Sequence, residues 1–136
     1  MDRNPTDEAA PDAARDAGTD PQRRHAGLPV LDKEGALALM DDEEFYDYFS
    51  GEILAAFDDR LDELRSLIGR GKAAELTIKA HSLKGVLAAM GAGRAAASAG
   101  LLEMAARSGE LDAAPRLTGE LEEEFAKVRV ILAANG

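Results

Sequence analysis

One short stretch of this chain combines residue types that could carry chemistry. It is AHSLKGVLAAMG, Ala80 to Gly91, and it holds one of the chain's two histidines. Lys84 follows His81 by three residues and Gly85 by four, inside a run that otherwise reads as helix. Imidazole is both largely neutral and nucleophilic near neutral pH, so a histidine open to solvent can attack a phosphoryl group and become a phosphohistidine. A lysine at i+3 on a helix reaches the same region and can offset added negative charge. Glycine inside a helix destabilises it by roughly 1 kcal/mol relative to alanine, so its presence calls for a reason. Side chains of a helix lean toward its N-terminus, and a larger residue at 85 would cover the space beside the imidazole.

These side chains need a helix that turns them outward. At 100° per residue, Leu76, Ala80, Leu83, Leu87 and Met90 stay within about 40° of one direction, while His81 falls about 140° away. Thr77 and Ile78 lie one turn before His81, and Gly85, Ala88 and Ala89 lie one and two turns after it. An exposed histidine near a lysine is most often ordinary surface. Here the surroundings are small and uncharged in a chain whose residues are 31% charged, which suits a docking surface. Thr77, Ile78, Ala88 and Ala89 are therefore expected to meet a partner. His25, in PQRRHAG, sits among tail-like residues and is read as a solvated bystander.

The rest of the chain supplies the scaffold. Aromatic residues make up only 4%, alanine and leucine abound, and β-branched residues are few, so the expected core is aliphatic and helical. Asp32 can cap a short helix ending near Met40, and Asp41 or Asp42 a long one running to about Ile68. That second helix shows Phe49, Ile53, Phe57, Leu61, Leu64 and Ile68 at helical spacing. A third is expected from about Lys72 to Met90 and a fourth from about Arg94 to Ser108. The fourth turns Leu102 and Ala105 inward, and Gly100 lets a neighbour approach. A last helix, about Ala114 to Ala134, shows Leu117, Leu121, Phe125, Val128 and Leu132 on one face. The spacing predicts an all-α fold, an antiparallel four-helix bundle with a short extra N-terminal helix. Four of the five prolines lie by Pro29, and residues 1–28 hold almost no apolar bulk. They read as a disordered tail ahead of a domain at 29–136.

Composition narrows the function further. With 26 acidic and 16 basic residues the formal net charge is −10, which repels nucleic-acid phosphate and anionic membrane. The chain lacks cysteine, so disulfides and thiolate chemistry are excluded. No apolar run approaches the length of a transmembrane helix, and the first residues lack a secretory core, so the cytoplasm is the expected location. GRGK, Gly69 to Lys72, is not a phosphate-binding loop, because Ala73 follows the lysine and the spaced first glycine is missing. No cluster of metal ligands and no partnered acid or serine is evident around His81, so an enzyme, a metal site and a bound cofactor are not expected.

AHSLKG resembles the signature of the histidine phosphotransfer (HPt) domain family. MGAG resembles that family's helix-ending glycine, and LLEMAARSGELD its following helix and turn. The resemblance spans about Val30 to Ala134. It implies a helical bundle that carries a phosphoryl group in a two-component phosphorelay and is not itself an enzyme. His81 would be the phosphorylated residue, Lys84 the phosphoryl-stabilising lysine and Gly85 the clearing glycine. The implied partners are response-regulator receiver domains or a hybrid sensor histidine kinase, with magnesium supplied by the receiver and the carrier acting as a monomer. One departure is Ala89, near which the family often has a polar residue, frequently Asn. The alternative is a helical interaction module that uses the same patch without phosphorylation.

Overall fold

The structure is a computed structural model and describes residues 27–135; His25 and most of the expected tail lie outside the described residues. The elements are α1 Lys33–Met40, α2 Glu43–Gly69, α3 Ala73–Ala89, α4 Gly93–Arg107, a single 3₁₀ turn Leu111–Ala113, and α5 Ala114–Asn135. No strand occurs among the described residues. The aspartates act as the sequence suggests. Asp32 accepts from the Gly35 N–H at 3.0 Å and Asp42 from the Phe45 N–H at 3.1 Å, which satisfies donors that a helix start leaves open.

Each connection between the long helices turns on a glycine. Gly71, Gly91 and Gly109 have φ of 69°, 90° and 75°. The residue after each donates its N–H back to a carbonyl five residues earlier, Lys72 to Leu67, Ala92 to Leu87 and Glu110 to Ala105, at 2.8–2.9 Å. This pattern closes a helix C-terminus and needs a left-handed residue. With such short links, successive helices reverse direction. Helix α2 packs on α3, α3 on α4, α4 on α5 and α5 back on α2, which closes a four-helix bundle, and α1 lies against α2.

The core is aliphatic with one aromatic pair. The rings of Phe57 and Phe125 stack with centroids 3.7 Å apart and tie α2 to α5. The face of α2 differs from the expected one at both ends. Tyr46 and Leu67 are fully buried, whereas Phe49 and Ile68 are only half-buried. The Tyr46 hydroxyl donates to the Met90 carbonyl at 2.7 Å, which satisfies it inside the core. Gly91 is also where the N-terminal segment docks. Asp32 N–H donates to the Gly91 carbonyl at 2.8 Å and Arg94 N–H to the Pro29 carbonyl at 3.0 Å. A Cβ on Gly91 would run into the Asp32 carbonyl, so both the turn and this contact require glycine.

Candidate functional site

Helix α3 carries the site because its core stripe forms as the spacing predicts. Leu76, Ala80, Leu83, Leu87 and Met90 are all buried, and this fixes the rotation of the helix. His81 then points outward, its side chain 66% exposed. Ile78, Gly85, Ala88 and Ala89 are exposed around it. Thr77 is half-buried, and its hydroxyl donates to the Ala73 carbonyl at 2.8 Å. That hydroxyl serves its own helix, so Thr77 contributes mainly its methyl group to the surface. A Cβ at Gly85 would meet nothing within 4 Å. The glycine therefore fills no notch against a neighbouring helix.

The neighbour that matters comes from α4. Ala92, Ala95, Ala96 and Ala99 are buried where α4 begins, and such small side chains let α4 lie close to α3. Glu103 follows on the same face and is buried, with only 4% of its side chain exposed. Its Oε2 lies 3.0 Å from His81 Nδ1 and 2.6 Å from an Arg107 guanidinium nitrogen, and its Oε1 lies 2.9 Å from Lys84 Nζ. Gly100, expected only to admit some neighbour, seats Lys84: a Cβ there would stand 3.3 Å from Lys84 Cδ. The uncharged surroundings inferred from α3 alone are thus incomplete. One carboxylate and a second cation complete the site, and His81 does have a partnered acid.

The electrostatics follow from this arrangement. The Lys84 hydrogen bond, with those of Arg107 and His81, holds the Glu103 carboxyl at a pKa of about 2 against the opposing effect of burial. It is therefore ionised at neutral pH and can only accept hydrogen bonds. His81 Nδ1 must then be the donor in the 3.0 Å contact, and the neutral ring keeps its lone pair on Nε2. The Nδ1 edge faces protein, which leaves Nε2 as the free edge of an exposed ring. Glu103 had a signal in the sequence. It occupies a position where the period of Ala99, Leu102 and Ala106 calls for an apolar residue, with an arginine at i+4.

Among the described residues no group of three or more His, Cys, Asp and Glu side chains could hold a metal ion. None of the described helices is long and apolar enough to cross a membrane. The cavity of about 320 Å³ lined by Lys33, Glu43, Asp47, Ser50, Gly51, Leu54 and Leu132 involves none of the residues around His81.

Fold and site together define a helical-bundle protein that presents one oriented imidazole at its surface, flanked by cations and a bare glycine. The family model for the Hpt domain matches residues 50–130, and the chain belongs to the histidine phosphotransfer domain family. Its fold is similar to the crystal structure of histidine-containing phosphotransfer protein B from Pseudomonas aeruginosa PAO1. The two are 34% identical with a TM-score of 0.69, over 79% of this chain and 94% of that one. No curated protein sequence matches the chain.

Proposed function

We propose that this protein is a phosphorelay carrier that accepts a phosphoryl group on His81 from a receiver-domain aspartate and passes it to another. The observation that carries this reading is the contact between His81 Nδ1 and the ionised Glu103, which leaves Nε2 as a solvent-facing nucleophile beside Gly85. In the forward step the Nε2 lone pair attacks phosphorus, and the phosphorus–oxygen bond to the receiver's aspartate breaks. The aspartate leaves as a carboxylate. The ring gains a positive charge and keeps its Nδ1 proton, hydrogen-bonded to Glu103, which balances that charge. The reverse sequence delivers the group to a second receiver.

Lys84 stabilises the phosphoryl group, and Gly85 leaves room for it. Ile78, Ala88, Ala89 and the Thr77 methyl form the surface on which the receiver docks. The receiver supplies the metal ion and the alignment of the phosphoryl group. Positioning and charge stabilisation account for most of the catalysis in phosphoryl transfer, so the carrier needs to contribute little beyond an accessible nucleophile. It acts as a monomer in the cytoplasm.

The test is incubation with phosphorylated receiver domains, followed by mapping of the label. The expected product is acid-labile, persists in alkali and sits on His81. His81→Gln should abolish labelling and His25→Gln should not. Full labelling of His81→Gln overturns the assignment. Binding of a receiver with no label on the wild-type chain would instead make this an unphosphorylated interaction module.

A further inference from the structure

Gly100 is a glycine that the backbone of α4 does not ask for. It lies in the middle of the helix and is not one of the residues with positive φ. Glycine is a poorer helix former than alanine, and alanine occupies positions 95, 96, 97 and 99 just before it. A need for a merely small residue would be met by alanine there too. Beyond its own helix and among the described residues, the one heavy atom that an added Cβ would approach within 4 Å is Lys84 Cδ, at 3.3 Å. Carbon atoms pack best at about 3.5–4.0 Å, so even a methyl group would press on the lysine stem.

With no side chain at 100, the Lys84 stem passes over α4 and its ammonium ends 2.9 Å from Glu103 Oε1. The other oxygen of the same carboxylate stands 3.0 Å from His81 Nδ1, so Glu103 sets the spacing between ammonium and imidazole. An ammonium has three N–H donors, and those not used on Glu103 can meet phosphoryl oxygens carried on Nε2. A lysine on an open surface spreads over many rotamers, and a berth that removes them in advance leaves less entropy to lose when phosphate arrives. Resting on the phosphocarrier reading above, we propose that Gly100 is a positioning residue: the empty place it leaves on α4 seats Lys84 on Glu103, in the pose from which the ammonium contacts a phosphoryl group on His81. A glycine that served only the close packing of α3 on α4 would act on stability alone, and independently of Lys84.

A double-mutant cycle separates the two roles. Full-length protein carrying His25→Gln, so that His81 is the sole imidazole, is phosphorylated with phosphoramidate. Nε2 attacks phosphorus, the phosphorus–nitrogen bond breaks and ammonia leaves, so no receiver is needed. Loss of the phosphohistidine is then followed against time. Gly100→Leu should shorten its lifetime about two- to fivefold, the range of one solvent-exposed ion pair, and no further than Lys84→Ala does. In the Lys84→Ala background Gly100→Leu should change nothing. An unchanged lifetime with Lys84 present, or an equal loss in both backgrounds, overturns the proposal. Gly100→Ala gives a second reading that needs no phosphate. Its melting temperature should rise by about 2–6 °C in the Lys84→Ala background, where the berth is vacant, and by less with Lys84 present. Equal rises would mean that the two side chains do not compete for one place, and the proposal would be wrong. Failure of receivers to transfer to His81 would instead remove the carrier role and leave both readouts unaltered.

Discussion

Gly85 and Gly91 lie six residues apart on one helix and its turn, and they should respond oppositely to the same substitution. At Gly85 an added Cβ finds open space, so Gly85→Ala changes only backbone propensity. That should stabilise the protein by about 0.5–1 kcal/mol. For a domain of roughly this size the melting temperature should rise by about 2–6 °C. At Gly91 the backbone is left-handed, φ 90°, and a Cβ meets the Asp32 carbonyl. Gly91→Ala should therefore destabilise by about 1–3 kcal/mol and loosen the N-terminal segment from the α3–α4 turn. A third variant links stability to function. In Gly85→Leu the side chain leans toward the turn that carries His81 and covers the Nε2 edge. Transfer from a phosphorylated receiver should slow at least about tenfold, equivalent to about 1.4 kcal/mol of barrier, while the fold persists. Melting curves and rapid-quench transfer rates on the same preparations test all three. Wild-type transfer by Gly85→Leu would refute the clearance argument. A lowered melting temperature for Gly85→Ala would mean that Gly85 is held by something other than the needs of the site.

Three further outcomes follow from the same geometry. Lys84→Ala should shorten the phosphohistidine lifetime and cost only about 1 kcal/mol in a urea melt, because Arg107 and His81 still hold Glu103; an unchanged lifetime would make Lys84 a structural counter-ion only. Glu103 has a pKa of about 2, below its ordinary value of 4.5, because it faces Lys84, Arg107 and His81, so its stabilising contribution is present above 4.5 and is lost as pH falls toward 2. Urea melts between pH 5 and 2 should then show a shallower loss of stability for Glu103→Gln than for wild type, from a neutral-pH value lower by about 1–3 kcal/mol; parallel curves would contradict the pairing. Removing residues 1–27 should leave melting temperature and phosphoryl acceptance unchanged, since that segment has too little apolar content to add a core, and a large fall in either would show that it docks on the bundle.

Periodicity along single helices was enough to orient His81. Leu76, Ala80, Leu83, Leu87 and Met90 share one face at 3.6 residues per turn, and all are buried, so His81 had to face solvent. The caps at Asp32 and Asp42 and the breaks at Gly71, Gly91 and Gly109 were equally legible, because each depends on a few neighbouring residues and local hydrogen bonds. The face of α2 was read less well. Tyr46 counts as polar in a pattern, and only the Met90 carbonyl across the bundle makes its burial favourable.

What surrounds His81 was decided by tertiary structure. A helical wheel states which way a residue points and says nothing about which residue of another helix stands opposite. Glu103 is 22 positions from His81, and their 3.0 Å contact exists because buried alanines bring α4 close to α3 in one register. The same register puts Gly100 under the Lys84 stem and turns what the sequence offered as a lone lysine into one arm of a four-residue cluster. The tautomer of His81 belongs to that cluster as well, because which ring nitrogen keeps the proton depends on a carboxylate that another helix delivers.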